Sequence, residues 1–177
     1  MTYLSGCMRR CGMVCAACLL VLLAARSAPA WETYIGRSMN LVVKEMLEGN
    51  IFTATDSDDN VFTIRFYGIG IPTARQPFGI EAHRQLLAIL RPGVRATVTL
   101  VNENDEGIYN ALVQVADRSV NNRLVSEGLA WVDRKVCKAF FCRRWHIEEH
   151  IAQTERRGVW SLNIPTPPWQ WSEPKGR

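Results

Sequence analysis

Residues 63–79 read TIRFYGIGIPTARQPFG, and they hold the features from which the rest of the chain is interpreted. Apolar and polar residues alternate from 62 to 67, which predicts a strand with one apolar face and with Arg65 on the other face. Two glycines and a proline then break the alternation, and an apolar pattern with helical spacing begins at Gly79. A strand that presents a cation and runs into an irregular loop is a common place for functional residues.

The segments around this stretch predict further short strands and helices. Alternating or β-branched runs predict strands, and apolar residues three or four apart predict helices. The predicted strands cover 41–47, 51–56, 61–68, 94–100 and 109–117, and the predicted helices cover 79–90, 120–129 and 143–157. Three short strands in meander order are typical of a small antiparallel barrel or sandwich.

Residues 1–30 have the pattern of a cleaved export signal. A pair of arginines precedes the apolar run 13–25, and residues 28–30 form an A-x-A cleavage site. The run is short for a membrane span, which needs about 20 residues. We therefore expect an exported protein, periplasmic or secreted, that begins at Trp31 and keeps no stable membrane anchor. An uncleaved anchor is the alternative, and a lipid on Cys18 is disfavoured because that cysteine lies inside the apolar run.

Removing that segment changes what the charge and the cysteines imply. It contains three of the 21 basic residues and none of the 17 acids, so residues 31–177 carry a net charge of +1. The basic isoelectric point of the whole chain, about 8.8, is therefore no argument for a nucleic-acid partner. Of the six cysteines, only Cys137 and Cys142 remain. Such a pair in an exported protein predicts a disulfide, and a free reactive pair is the alternative.

The stretch 63–79 resembles the strand and loop of the staphylococcal nuclease (thermonuclease) family, which usually reads V-R-L-x-G-I-D-x-P-E-x-x-Q-P-x-G. The framework positions that match are Arg65, Gly68, Ile69, Pro72, Gln76, Pro77 and Gly79. Later segments match the family's signatures as well, and these are 120–121, 127–132, 137–145, 157–160 and 168–171. The resemblance implies an α+β, mainly β, fold: a five-stranded OB-fold barrel with a helix after strand 3 and further helices at the C-terminus. The domain would cover residues 40–171, between an N-terminal lead (31–39) and a tail (172–177).

The family's reaction, metal-assisted hydrolysis of a nucleic-acid phosphodiester, depends on carboxylates. Some of them hold calcium, and another draws a proton from the attacking water. Carried over by position, the two metal-binding aspartates correspond to Asn50 and Gly70, with the backbone carbonyl of Ile71 as a further ligand. The general base corresponds to Thr73. None of these side chains is an acid.

Two arginines of the family stabilise the charge that builds on the phosphate oxygens. Arg65 matches the first, whereas the second corresponds to Ile108, or to Tyr109 with a one-residue gap. The aromatic residues that flank the nucleotide in the family fall within 133–136, which contains none. A lost general base typically lowers the rate by about 10²–10⁴, and a lost charge-stabilising donor by about 10²–10³. We therefore predict a nuclease fold without nuclease chemistry and without a cofactor.

Binding and weak catalysis are the two kinds of function that remain. A binding module would take single-stranded nucleic acid or a periplasmic protein as its partner. Arg65, Tyr67 and Tyr109 would contact a phosphate or a base if all three face one groove. A weakly active nuclease would instead use calcium held by displaced ligands. We expect a monomer in either case.

Three further features have ordinary explanations. Acids crowd the turns 56–59 and 103–106, where solvated side chains are expected rather than a calcium site. Residues 146–150 read HIEEH and match the H-x-x-E-H zinc pattern, but they fall in a predicted helix and a third ligand is not evident. His83 flanks the apolar stripe of the helix 79–90, so a boundary position is expected for it.

Overall fold

The computed structural model of the chain describes residues 36–47 and 49–173. The predicted export signal, the predicted start at Trp31, and Glu48 therefore lie outside the described residues. Within those ranges the strands are β1 (Ser38–Met46), β2 (Ile51–Thr55), β3 (Val61–Phe66), β4 (Ile69–Gly70), β5 (Arg95–Glu103), β6 (Ile108–Val115), β7 (Arg118–Ser119) and β8 (Trp131–Val132). The α-helices are α1 (Gly79–Ile89), α2 (Val120–Ser126) and α3 (Cys142–Thr154), followed by 3-10 turns at Gly158–Ser161 and Pro168–Gln170. The predicted domain boundaries at 40 and 171 stay predictions.

Five strands close into a barrel. Antiparallel ladders join β3 to β2, β2 to β1, β1 to β5 and β5 to β6, and a parallel ladder between β3 and β6 completes the circle. The helix α1 follows the third of these strands, and α2 and α3 follow the last. This order confirms the predicted α+β class and the OB-fold barrel.

The barrel interior is formed by one face of each strand. In β3 the alternate residues Phe62, Ile64 and Phe66 are buried, and the ring of Phe66 lies 5.7 Å from that of Phe52 across the core. Burying one such side chain contributes about 1.5–3 kcal/mol. The same alternation directs Arg65, which is half-buried, to the outer face of the barrel.

A buried asparagine joins the end of β3 to α2. Asn121 is fully buried, and its Oδ1 accepts a hydrogen bond from the backbone N–H of Val113 at 2.9 Å. Its Nδ2 donates to the carbonyl of Tyr67 at 3.1 Å. Because both partners are backbone groups on neighbouring strands, this amide fixes where α2 begins relative to the barrel.

The predicted elements agree with the observed ones except at their ends. The helix α2 ends at Ser126, before Gly128 with its φ of 71°, and α3 ends at Thr154, before Arg156 with its φ of 55°. The short ladder between β4 and β8 was not predicted, because two-residue strands show no periodicity. None of the helices in the described ranges combines the length and the apolar character that a membrane span requires.

The predicted disulfide is confirmed. Cys137 and Cys142 are bonded, with their α-carbons 5.8 Å apart, and both residues are buried. The bridge closes the loop that leads into α3. Next to it Phe141 packs against Trp145, with the rings tilted and their centroids 5.3 Å apart.

Candidate functional site

Gln76 joins the loop after β4 to a C-terminal strap, residues 164–173. The residue is only 5% exposed, and its Oε1 accepts a hydrogen bond from the backbone N–H of Thr73 at 3.2 Å. Its Nε2 donates to the carbonyl of Thr166 at 2.8 Å. A nearby ion pair between Arg75 and Glu173, 2.7 Å long, is exposed and therefore contributes little. The buried amide is thus the contact that holds loop and strap together.

Loop, strap and the end of β1 enclose a groove of about 960 Å³. It is lined by Glu45, Met46, Leu47, Gly49, Pro72, Thr73, Ala74, Arg75, Gly79, His83, Pro168, Trp171 and Glu173. Thr73, the predicted base position, and Gly49, in the turn before Asn50, therefore line the same groove. Two carboxylates, Glu45 and Glu173, line this groove, and Glu173 forms an ion pair with Arg75. His83 is half-buried, at a boundary as predicted, and contributes an imidazole.

Trp169 occupies the space into which a side chain on residue 70 would project. A β-carbon built on Gly70 would lie 2.4 Å from Cζ3 of the indole and 3.0 Å from Cγ of Pro168. Nonbonded carbon atoms approach one another to about 3.5–4.0 Å. An aspartate at this position would therefore require the strap to move.

The first phosphate-binding position, Arg65, lies between β2 and β6. In the strand ladders its backbone lies opposite Ile51 of β2 on one side and opposite Asn110 of β6 on the other. Asn50 directly precedes the strand that carries Ile51, so it lies close to the arginine in the fold. Among the described residues, none forms an ion pair or a hydrogen bond with the guanidinium of Arg65. This cation is available to a ligand.

Neither of the two positions predicted for the second arginine provides a cation beside Arg65. Ile108 pairs with Thr63, which is two residues before Arg65 on the same strand. Tyr109 pairs with the buried residue Ile64, and its ring lies 5.8 Å from that of Phe62. Tyr109 thus faces the core side of the ladder, opposite to Arg65, and neither candidate supplies a guanidinium.

Tyr67 has a packing role in the structure. It is 7% exposed, its hydroxyl donates to the carbonyl of Val136 at 2.9 Å, and its ring meets that of Phe141 edge-on. The structure therefore does not bring Arg65, Tyr67 and Tyr109 together in one groove, as the predicted nucleic-acid interface requires. A contact of any one of them with nucleic acid stays a prediction, and burial disfavours it for Tyr67.

The donor groups at the predicted metal and base positions do not suit calcium. Calcium takes about 6–8 oxygen ligands, with carboxylates prominent among them. The described residues at the metal and base positions offer a neutral amide at Asn50, no side chain at Gly70 and a hydroxyl at Thr73. Ile71 is buried, and it would offer only its backbone carbonyl. Within 36–47 and 49–173, nowhere do three His, Cys, Asp or Glu side chains come together as a metal site would need.

The HIEEH segment lies on α3, where its glutamate has a structural role. Glu149 is 3% exposed, and its carboxylate accepts hydrogen bonds from the backbone N–H of Val132 at 2.8 Å and from Nη2 of Arg134 at 2.9 Å. This buried carboxylate ties α3 to β8. The pattern is therefore explained by helix packing.

Residues 63–162, more than half of the chain, match the model of the family described as staphylococcal nuclease homologue. The chain belongs to the staphylococcal nuclease family. Members of this family are in general calcium-dependent nucleases.

Similar proteins occur in plants and bacteria. Staphylococcal-like nuclease CAN1 of Arabidopsis thaliana is 30% identical over 114 residues, which are 64% of this chain and 34% of that protein. The chain therefore spans about a third of the length of this plant relative. Micrococcal nuclease of Shigella flexneri is 26% identical over 166 residues, 89% of each chain, and Protein ParB of Escherichia coli is 28% identical over 168 residues, 88% of each.

Two features of the site were missed by reasoning from the sequence. In the sequence Trp169 is part of the terminal signature 168–171 and Gln76 is a framework match, and neither pattern indicates a contact at the site. The signal that pointed to the first was the glycine at position 70, because a lost side chain leaves room for another group. That Gln76 would bind Thr166 carries no local signal, since the two residues are 90 positions apart.

Proposed function

We propose that this chain is an exported, non-catalytic member of the staphylococcal nuclease family that binds nucleic acid. The observation that carries the proposal is the contact of Trp169 with Gly70, because it closes the space where a metal-binding aspartate would stand. Retention of the fold around such a site favours a binding role, and OB-fold barrels commonly serve to bind oligonucleotides.

The chemistry of the groove supports the loss of catalysis. Hydrolysis requires a group that draws a proton from water near neutral pH, and the hydroxyl of Thr73 cannot do so. It also requires charge stabilisation on the phosphate, for which only Arg65 remains of the family's two arginines. Because residues that act as a unit lose most of their combined effect when one of them is replaced, the retained Arg65 cannot sustain the reaction alone.

A digestion assay tests the proposal directly. Purified protein that starts at Trp31 is incubated with single-stranded and duplex DNA, with calcium and with a chelator. We expect no calcium-dependent cleavage above that of the variant Arg65→Ala, which serves as the matched control. Cleavage that requires calcium and disappears with Arg65→Ala would overturn the proposal.

A weakly active calcium-dependent nuclease is the second candidate, and the state of Arg65 favours it. The guanidinium is half-exposed and free of ion pairs with described residues, as a phosphate-binding group should be. This candidate predicts calcium binding in the low-affinity range, measurable by calorimetry. The digestion assay above separates the two candidates.

Export is proposed from the sequence of residues 1–30 alone. Expression of the full chain, followed by fractionation and mass spectrometry of the N-terminus, tests it. We expect the product in the periplasm or the medium, beginning at Trp31. A product that keeps residues 1–30 and sediments with the membrane would mean that the segment is an anchor.

A further inference from the structure

Positive charge is concentrated next to the disulfide. Residues 134–144 read RKVCKAFFCRR and contain five cations and no acid. The net charge of residues 31–177 is only +1, so this segment differs from the rest of the surface. We call it the basic loop. A local excess of one sign of charge attracts ligands of the opposite sign.

The basic loop surrounds a depression of about 480 Å³. Arg134, Lys138, Phe140, Arg143 and His146 line it together with the bonded cysteines. None of these residues lines the groove of about 960 Å³, although Arg134 lies within 133–136, where the family's nucleotide-flanking aromatic residues fall. Sites of roughly 300–1,000 Å³ commonly hold small ligands, and this one is large enough for a nucleotide unit.

Three of the five cations have no acidic partner among the described residues. Arg134 pairs with Glu149 at 2.9 Å, and Arg144 lies 3.7 Å from Glu148. Lys135, Lys138 and Arg143 form no ion pair within the described ranges, and all three are exposed. Their charge is therefore available to an anionic ligand.

An exposed aromatic ring lies among these cations. Phe140 is 86% exposed, and its ring touches that of Phe141 at a centroid distance of 5.7 Å. Phe141 in turn packs against Trp145, and the disulfide closes the loop around both phenylalanines. A single exposed apolar side chain needs no explanation by itself. Its position beside unpaired cations, on a loop held by a covalent bridge, indicates a binding surface.

We propose that the basic loop binds single-stranded nucleic acid, with phosphates on Lys138 and Arg143 and a base stacked on Phe140. Grooves that bind single strands combine cations along the backbone with aromatic side chains under the bases. Bases in a duplex have no free face to offer Phe140. The concave shape suits a strand better than a flat lipid surface, to which cations and an aromatic ring would also bind. This inference rests on the nucleic-acid binding proposed above. It adds where on the protein the nucleic acid binds and that the ligand is single-stranded.

Binding of a fluorescent thymidine oligonucleotide to the protein from Trp31 onward tests the role of the ring. Phe140→Ala should weaken binding by roughly 5- to 150-fold, the range for one lost base stack. Phe140→Tyr should bind like the native protein because it keeps the ring, whereas Phe140→Leu should weaken binding like the alanine variant. Since the side chain is exposed, all three variants should fold normally. Equal binding by all of them would overturn the proposal.

The salt dependence of the same binding tests the role of the cations. For single strands, each lost phosphate contact lowers the slope of log K against log salt by about 0.7, so the double variant Lys138→Gln/Arg143→Gln should lower it by about 1.4. The matched control is Arg91→Gln/Arg95→Gln, which removes two exposed cations outside the depression and should keep the slope. The same loss of slope in both variants would overturn the proposal.

The remaining outcomes separate this inference from the proposed function. Binding that is lost in Arg65→Ala but kept in all basic-loop variants would sustain nucleic-acid binding and overturn the basic loop as its site. Absence of any oligonucleotide binding would overturn both. Binding of phosphatidylserine vesicles in place of the oligonucleotide, again dependent on Phe140, would assign the loop to a membrane surface and overturn the inference.

Discussion

The indole of Trp169 stands where a side chain on residue 70 would begin, because a β-carbon on Gly70 would lie 2.4 Å from its Cζ3 atom. Gly70 is buried and pairs with Trp131 in the short ladder of β4 and β8. The strap that carries Trp169 is in turn held by the amide of Gln76. Position 70 is therefore closed by contacts from two distant parts of the chain.

Adding a side chain at position 70 should destabilise the fold. We expect Gly70→Ala and Gly70→Asp each to lower the free energy of unfolding by about 1–3 kcal/mol, the usual cost of overpacking. Urea unfolding followed by tryptophan fluorescence measures this. Combination with Trp169→Ala should relieve the clash. The loss of unfolding free energy in the double variant should therefore be smaller than the sum of the two single losses by about 0.5–3 kcal/mol. Strict additivity would show that the two residues do not compete for space.

The amide of Gln76 should contribute more to stability than an exposed amide does. Gln76→Ala removes two hydrogen bonds, one from the N–H of Thr73 and one to the carbonyl of Thr166, and a typical hydrogen bond contributes about 0.5–1.5 kcal/mol. Hydrogen exchange should also become faster in the strap. The control is Gln85→Ala, which removes a half-exposed hydrogen bond to Glu127 of 2.9 Å. Similar losses in both variants would contradict the role given to Gln76.

The two partners of the ion pair between Glu149 and Arg134 should contribute unequally to the stability of the fold. Glu149→Ala removes a buried carboxylate that also accepts the N–H of Val132, so we expect a loss of about 2–3 kcal/mol in unfolding free energy. Arg134→Ala should cost less than Glu149→Ala, because the arginine side chain is 65% exposed and the carboxylate keeps the N–H of Val132 as a donor. Thermal unfolding at equal ionic strength compares the two variants. Equal losses would mean that the ion pair, rather than the backbone contact, dominates.

The turn at 56–60 should make a contribution to the stability of the fold that depends on pH. The side-chain amide of Asn60 donates to Asp56 at 2.9 Å and, with the N–H groups of Asn60 and Asp58, holds the pKa of this carboxyl below its usual value of 3.8. Because the folded-state pKa is depressed, the stabilisation is present above the unfolded value and is lost as the pH falls through the folded one. Asn60→Ala should raise the pKa of Asp56 toward 3.8, as an NMR titration of its carboxyl carbon would show. Asn104→Ala, in the other acidic turn, should leave it unchanged.

The sequence predicts which residue types occupy the candidate site but not how their side chains are arranged. The replacements at Asn50, Gly70 and Thr73 follow from position in a motif, and no tertiary information is needed to see that acids are absent there. The expectation that Arg65, Tyr67 and Tyr109 share one groove requires their side chains to lie on one face of the sheet. At the end of a strand, a partial alternation does not define which face a side chain takes. The structure covers Tyr67 with the loop at Val136 and turns Tyr109 toward Phe62.

By itself the sequence determined the strands, the helices and the disulfide, because alternation, helical spacing and an even pair of cysteines are local or compositional properties. It also determined that positions 50, 70 and 73 carry no acid, since a residue type is read at its own position. Only the tertiary structure decided what fills the space at Gly70, which strand face each aromatic ring takes, and that the cations of the basic loop surround one depression. Those relations join residues far apart in the chain, and their distances depend on how the barrel closes and where the strap returns to it.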